Sequence, residues 1–302
     1  MMDQDLPHLN QALRFGASKG ALDIRILTHN IRYATEFPFK GEELWRVRCP
    51  RLCSELAFNS AEPSTFICLQ EVLHCQLIDI HAALNSSKTS SGEWAYIGVG
   101  RDDGREAGEY SPIFYRSSIW KLQSWKTRWL SPTPEVPSRG WDAGNPRVVT
   151  IGTFIHVSSG QTVAILCTHF DNEGSQSRRE SAKLILTAID SLTAVQDVSA
   201  VVVAGDLNSP PADESYQIMT SQDSAMEDVC LQVPKEKRYG DEVTYTSFGY
   251  VDNDPVRIDF IISRKGDKIT YRTYGVLTNH FDDGVYLSDH RACVADILLE
   301  LA

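Results

Sequence analysis

The chain has no CxxC pair, no apolar run of membrane-spanning length and no basic stripe, and each absence removes a class of function. Its seven cysteines are odd in number, with Cys49 and Cys53 the closest two, so neither a zinc cluster nor a disulfide framework is expected. Cys68, Cys167 and Cys293 lie within apolar runs and read as small buried hydrophobes. The opening stretch MMDQDLPHLNQALRFGASKG is polar and lacks the apolar core of a secretion signal. With no spanning run either, the expectation is a reduced, cytoplasmic protein. Basic residues number 29 against 40 acidic ones, a formal charge of −11, and the densest basic stretches, RRE and KEKR, are short. That counts against tight duplex binding. It leaves nucleotides and oligonucleotides open as substrates, because a bound divalent cation can supply a local positive field. Repeats, low-complexity tracts, composition breaks and heptad seams are missing too. The expected organisation is an N-terminal extension over 1–22 and one domain over 23–302, with no partner protein inferred.

What the chain does have is a succession of short β-type runs from end to end. They fall at 23–31, 65–72, 94–100, 110–116, 121–130, 147–157, 161–170, 200–208, 257–263, 268–277 and 291–301. Val, Ile, Tyr and Thr dominate them, and Gly, Pro, Asp or Ser bound them. Helices are fewer. EELWRVRCPRLCSELAF is one, kinked or divided at Pro50. EVLHCQLIDIHAAL sets Leu73, Leu77, Ile80 and Leu84 at helical spacing, and SRRESAKLILTAIDSLTAV does the same with Ala182, Ile185, Ile189 and Leu192. Another short helix is expected within 214–232. Surface loops are expected at 85–93 and 131–146. Asn85-Ser86-Ser87 matches a glycosylation sequon, which carries little meaning without a secretion signal. The pattern predicts an α/β fold with two packed sheets flanked by helices.

Several strands end in polar residues that a core does not require. These are Asn30 in THNIRY, Glu71 in LQEVL, His169 in CTHFD, Asp206 and Asn208 in AGDLNS, Asp259 in RIDFI, and Asp289 and His290 in LSDHR. Strand ends bunched at one edge are a usual place for a site. Glu71 and Asp289 are hard oxygen donors suited to Mg²⁺ or Mn²⁺, and the Asn30 amide oxygen could assist them. His169, as an imidazolium, and Asn208 would donate hydrogen bonds to a phosphate whose charge grows in the transition state. Asp206 could deprotonate an attacking water, and Asp259 could hold the His290 ring in one tautomer. Bland readings exist for each. Asp-Leu-Asn after a strand is commonly a turn, Glu71 suits a helix start, and Ser-Asp-His can cap a turn. Asp259 is harder to dismiss, since a carboxylate amid apolar neighbours requires solvent or a partner. His29, His74, His81, His156 and His280 lack such partners and read as structural or surface residues.

The ordered series HNIRY, LQEV, GEYSPIFYR, THFD, GDLNS, RIDFI and SDHR resembles the endonuclease/exonuclease/phosphatase superfamily, the DNase I-like phosphoesterases. IGVGRDDG, WLSPTPEVPSRGWDA and PRVVT resemble a microbial subgroup of undefined substrate. The resemblance implies a four-layer α/β sandwich, two mainly antiparallel sheets packed face to face with helices outside and the site at one end. It implies that Glu71 binds the metal with Asn30 and Asp289 nearby, and that Asp206 positions or activates water. Asn208 and His169 would hold the phosphate, Asp259 would pair with the acid–base group His290, and Glu109 in GEYSPIFYR would orient His169. Arg147 in PRVVT falls where members place a basic or structural residue. Some nuclease members carry an acidic ligand two residues after the first Asn, where this chain has Arg32, leaving one ion as the default. Arg32 could touch a substrate phosphate or pair with a nearby acid.

The resemblance thus implies Mg²⁺- or Mn²⁺-dependent, in-line hydrolysis of a phosphate mono- or diester. The loops at 100–109, 131–146, 210–245 and 250–256 carry many acids, with Trp129 and Trp141 as stacking surface. That suits a small phosphorylated metabolite, nucleotide, sugar phosphate or lipid head group better than duplex DNA. The alternatives are a nuclease acting on DNA or RNA, and a member recruited to other small-molecule chemistry or to binding alone.

Overall fold

A computed structural model of the chain describes residues 20–86, 93–249 and 254–301. Most of the expected N-terminal extension, and parts of the loops expected at 85–93 and 250–256, lie outside the described residues. In chain order the first half contains β1 (Ala21–Asn30), α1 (Trp45–Asn59), β2 (Thr65–Gln70), α2 (His74–Leu84), β3 (Trp94–Ile97), β4 (Ile113–Arg116) and β5 (Trp120–Trp129). Then follow β6 (Val148–His156), β7 (Thr162–His169), α3 (Ser175–Val195), β8 (Ala200–Asp206), α4 (Glu214–Thr220) and β9 (Met226–Asp228). The last part holds α5 (Val229–Gln232), β10 (Arg238–Gly240), β11 (Asp259–Arg264), β12 (Ile269–Val276) and β13 (Cys293–Glu300).

The strands form two sheets, ordered β10-β12-β13-β1-β2-β4-β3 and β5-β6-β7-β8-β11-β9. Parallel pairing is confined to β1–β2, β10–β12 and β7–β8, so both sheets are mainly antiparallel. Three apolar layers hold four layers of structure together. Leu52 and Leu56 of α1 and Leu77 and Ile80 of α2 pack on Leu27, Ile67, Leu69 and Val294 of the first sheet. Ala182, Ile185 and Ile189 of α3 pack on Leu166, Val201 and Val203 of the second. Between the sheets lies the third layer, with Ile26, Phe66, Ile165, Val202 and Ile297. Each fully buried Leu or Ile contributes about 1.5–3 kcal/mol.

Two helix expectations change on inspection. α1 runs unbroken through Pro50, whose missing N–H costs one bond near the first turn without ending the helix. The stretch 214–232 holds two short helices, α4 and α5, separated by β9.

Successive strand residues point to opposite faces, and one face of each inner strand continues from core into polar residues. The inward series are Leu22-Ile24-Ile26-Thr28-Asn30 on β1, Phe66-Cys68-Gln70 on β2, Val163-Ile165-Cys167-His169 on β7 and Ala200-Val202-Ala204-Asp206 on β8. β11 runs the other way and begins with Asp259, followed on the same face by Ile261. Thr28, Gln70 and Cys167 form a transition layer: Gln70 Nε2 donates to Thr28 Oγ1 at 3.1 Å and to Cys167 Sγ at 3.3 Å. Above it the inter-sheet stripe ends in ionisable groups.

Gly205 lets β7 and β8 lie side by side beneath these groups, because a Cβ there would collide with the Thr168 carbonyl of the neighbouring strand. Gly205→Ala is expected to lower stability by about 1–3 kcal/mol, the usual range for overpacking, as measured by urea unfolding. A variant as stable as the parent would refute this account of the β7–β8 contact.

Candidate active site

Strand register sets the floor of the site. His169 is directly paired with Asp206 across parallel β7–β8, and Asp206 with Asp259 across antiparallel β8–β11. On the first sheet Asn30 pairs with Gln70, which puts Glu71 one residue beyond the strand end. Ser288, Asp289 and His290 precede β13, whose Cys293 opposes Thr28 of β1. All the strands concerned present these ends at the same edge of the sandwich.

Asp206 is the meeting point. It is buried, and its Oδ1 accepts from the Asn208 backbone N–H at 2.8 Å. Its Oδ2 accepts from Asn30 Nδ2 at 3.0 Å and lies 3.4 Å from His169 Nε2 and 3.7 Å from His290 Nε2. His290 Nδ1 in turn bonds Asp259 Oδ2 at 2.8 Å, with Asp259 wholly buried. Tyr245 closes over the His290 ring edge-on, centroids 5.0 Å apart. Burial works against the His290 imidazolium, but Asp259 and Asp206 outweigh it and hold its pKa well above the ordinary 6.5. Burial and the Asp259 charge push Asp206 up to about 7, against the pull of His290.

Asn30 behaves differently from expectation. Its NH₂ bridges two acids, donating to Glu71 Oε1 at 3.1 Å as well as to Asp206, while its oxygen accepts from the Arg32 backbone N–H at 3.0 Å. The amide therefore links the two carboxylates, and its oxygen accepts one bond, from Arg32, and keeps a second lone pair. The carboxylate donors at this corner are Glu71 and Asp289. Asp289 is buried and receives Ser288 Oγ on Oδ1 at 3.2 Å. Its pKa is raised by burial and by Glu71, against His290 and Arg32. Two carboxylates that repel one another in a partly desolvated corner suit a divalent cation. Among the described residues Asp206, Asp259 and His290 also present ligand atoms within 4.8 Å of one another. There the short Nδ1–Oδ2 bond already uses one ring nitrogen, which gives that trio the form of a proton-transfer pair facing an acid.

Arg32, left open between phosphate and acid, pairs with Glu42: Nε lies 3.1 Å from Glu42 Oε1, and NH1 lies 4.0 Å from Glu71 Oε2. Its guanidinium also covers the rings of Tyr33 and Phe39 at 4.0 and 4.6 Å. Asn208 Nδ2 reaches His169 Nε2 at 3.0 Å and donates to the Phe170 carbonyl at 2.9 Å. Glu109 lies 3.8 Å from His169 Nδ1, farther than Arg147 NH1 at 3.0 Å, and its own partner is Arg101 NH1 at 2.7 Å. Burial and the Glu71 charge raise Glu109 to about 7 despite Arg101 and Arg147. Burial, then Arg147, Arg101 and His290, lower the His169 pKa well below 6.5, a direction that favours the neutral ring over the imidazolium expected. Trp129 is buried, with Nε1 donating to the Arg101 carbonyl at 2.7 Å, so it supports the 100–109 loop and offers no stacking face.

Backbone strain gathers at the same place. Six non-glycine residues among those described have positive φ, and Arg32 (56°), Glu71 (60°) and Asn208 (45°) are three of them. Each left-handed residue costs on the order of 1–3 kcal/mol, and such outliers cluster at functional sites.

Two supporting groups, Arg48 and Arg101, escaped the sequence reading, and a third, His29, was read as structural or surface without its partners. Arg48 of α1 is buried, and its guanidinium donates to the carbonyls of Ile31, Arg32, Glu43 and Leu287 at 2.8–3.1 Å. It thereby ties the chain after Asn30 to the chain before Asp289. Arg101 anchors Glu109. His29 lies against Glu55 at 3.0 Å and against the His290 carbonyl at 3.2 Å, inside the protein. A signal existed for Arg48: it shares a helical stripe with Leu52 and Leu56, where a charged residue requires a buried partner.

Folded His290 keeps its proton to a higher pH than an unfolded histidine. Its contribution to stability is therefore complete below about pH 6.5 and is lost as pH rises through the folded pKa. His290→Gln is expected to flatten the decline of the unfolding free energy above about pH 6.5, measured by urea titration across that range. An undiminished slope in the variant would show that the imidazolium is not the group responsible.

The Endonuclease/Exonuclease/phosphatase family model matches residues 27–290. A Bacteroides vulgatus endonuclease/exonuclease/phosphatase is similar at 32% identity and TM-score 0.81, over 92% of this chain and 100% of that one. A Bacteroides thetaiotaomicron mannosyl-6-phosphatase is similar at 28% identity and TM-score 0.77, over 91% and 99%. A D. rerio TDP2 complexed with single strand DNA product shares the fold at 20% identity and TM-score 0.67, over 91% and 98%. No curated protein matches the chain in sequence. With seven motifs in order, two sheets in the expected layers and a family match across most of its length, the chain belongs to the endonuclease/exonuclease/phosphatase family and is a phosphoester hydrolase.

Proposed function

We propose that this protein hydrolyses the phosphate ester of a small phosphorylated molecule by in-line attack of water activated at Asp206. The observation that carries the reading is the approach of Asn30, His169, His290 and the Asn208 N–H to one buried carboxylate from both sheets. A carboxyl group raised to about 7 is poised to accept a proton near neutral pH. His290, protonated and steered by Asp259, is placed to give a proton to the leaving oxygen. His169 Nε2 and the Asn208 amide face the space where a phosphoryl oxygen fits, 3.0 Å from one another. A divalent cation held by Glu71 and Asp289, Mg²⁺ or Mn²⁺ by its hard donors, would supply Lewis-acid polarisation of the phosphoryl oxygen. Asn30 holds Glu71 at a set distance from Asp206.

A small substrate fits the charge of −11 and the acids of the surrounding loops, and the related mannosyl-6-phosphatase favours a phosphosugar within that class. No helix among the described residues is long and apolar enough to cross a membrane.

Asp206→Asn and His290→Gln are each expected to lower kcat by about 10²–10⁴-fold, the usual contribution of a proton-transfer group. The assay is a panel of phosphosugars, nucleotides, lipid head groups and oligonucleotides, run with Mg²⁺, with Mn²⁺ and with chelator. Near-normal turnover in either variant would remove that residue from the mechanism. Chelation should abolish turnover and added metal restore it. A KM that climbs steeply with salt would point to a polynucleotide substrate in place of a small one.

A further inference from the structure

The surroundings of His169 constrain its chemistry more tightly than its position alone. Nδ1 lies 3.0 Å from Arg147 NH1, and Nε2 lies 3.0 Å from Asn208 Nδ2 and 3.4 Å from Asp206 Oδ2. A guanidinium has only donors and keeps its charge in proteins. Both ring nitrogens thus face an N–H donor, and the two contacts differ in charge: with Nδ1 accepting from the charged Arg147 donor, the ring proton sits on Nε2, on the side of Asp206 Oδ2. We propose that Arg147 is a positioning residue that fixes His169 as a neutral, Nε2-protonated hydrogen-bond donor to the substrate phosphate. The inference rests on the hydrolytic reading above for the identity of the acceptor, while the tautomer is argued from the Arg147 and Asp206 contacts.

Arg147 cannot readily turn away. Its Nε donates to Asp171 Oδ2 at 3.2 Å and its NH2 to Asn172 Oδ1 at 2.7 Å. Asp171 is itself wholly buried and pinned by the backbone N–H groups of Gly144, Asn145, Glu173 and Gly174. The carboxylate that could have bonded Nδ1, Glu109, stands 3.8 Å off and is drawn to Arg101 at 2.7 Å. The difference is chemical. A carboxylate on Nδ1 puts the proton there and leaves Nε2 a lone pair, which a phosphoryl oxygen would repel. Arginine on Nδ1 gives the reverse. Nε2–H and the second Asn208 N–H are then two donors whose nitrogens lie 3.0 Å apart, and an anionic oxygen that reaches both would accept from both.

The tautomer is read directly from long-range ¹H–¹⁵N spectra of the histidine rings in the full-length protein at neutral pH, with the His169 signals identified by their absence in His169→Asn. The expected pattern is a protonated Nε2 and a bare Nδ1. Arg147→Met should move the proton to Nδ1 and lower kcat by about 10²–10³-fold, as loss of one transition-state donor does, with a smaller change in KM. Arg147→Lys keeps a donor on Nδ1, and should keep the Nε2–H tautomer and recover part of kcat. A wild-type ring protonated on Nδ1, or on both nitrogens, overturns the proposal whatever the variants do, including one that fails to fold. Should the enzyme hydrolyse nothing on the panel, the spectra still decide the tautomer, so the two failures are distinguishable.

Discussion

One buried carboxylate, Asp206, joins the two halves of this molecule. Its oxygens are reached from β1 by Asn30, from β7 by His169, from the segment before β13 by His290, and from its own turn by the Asn208 N–H. A lone ionised carboxyl at this depth would be strongly disfavoured. It persists because each sheet supplies donors to it, and the cross-sheet bonds hold the open end of the sandwich at a fixed gap. Removing one partner from such a cluster leaves the others uncompensated, which costs far more than the bond is worth in isolation.

That constraint orders what surrounds it. Apolar pairs between the sheets give way to Thr28, Gln70 and Cys167, which satisfy one another, and only then to charge. Glu71 and Asn208 hold left-handed backbones just where β2 and β8 end at the candidate site. Arg48 supplies the same rigidity from behind, spending its donors on main-chain carbonyls on either side of Asn30 and Asp289. The site is thus built on strand ends and locked turns, the arrangement that keeps reacting groups in place without a ligand to order them.

Much of this was legible in the linear chain. Runs rich in Val, Ile, Tyr and Thr between turn residues found the strands, and the polar residues at their ends, His169 and Asp206 among them, marked the candidate site before any geometry was known. The family motifs added layers and roles. What could not be read was partnership. Arg32 had equal claims to a phosphate and an acid until folding brought Glu42 beside it. Trp129 looked like stacking surface, but its burial depends on how the 100–109 loop folds back. Asn30 was expected to offer its oxygen to a metal, and only the Arg32 N–H in the next turn decides that the NH₂ faces the acids. Arg101 passed unmarked and Arg147, 46 positions on, was marked only as a basic or structural residue until Glu109 and His169 lay between them. Side-chain orientation and long-range charge pairing belong to tertiary structure, and no local pattern encodes them.

Net charge illustrates the same point in physical terms. A protein at −11 looks poorly suited to binding phosphate, and over its surface it is. Yet Arg32, Arg48, Arg101, Arg147 and the His290 imidazolium gather at one edge, where burial makes each charge act over a short range with little screening. Acids drawn from the same edge pair with most of them and leave directed N–H groups in place of free cations. Under the proposed reading such a site would recognise a phosphate by the placement of its donors more than by bulk attraction, and an acidic exterior would then disfavour polyanions without weakening that contact.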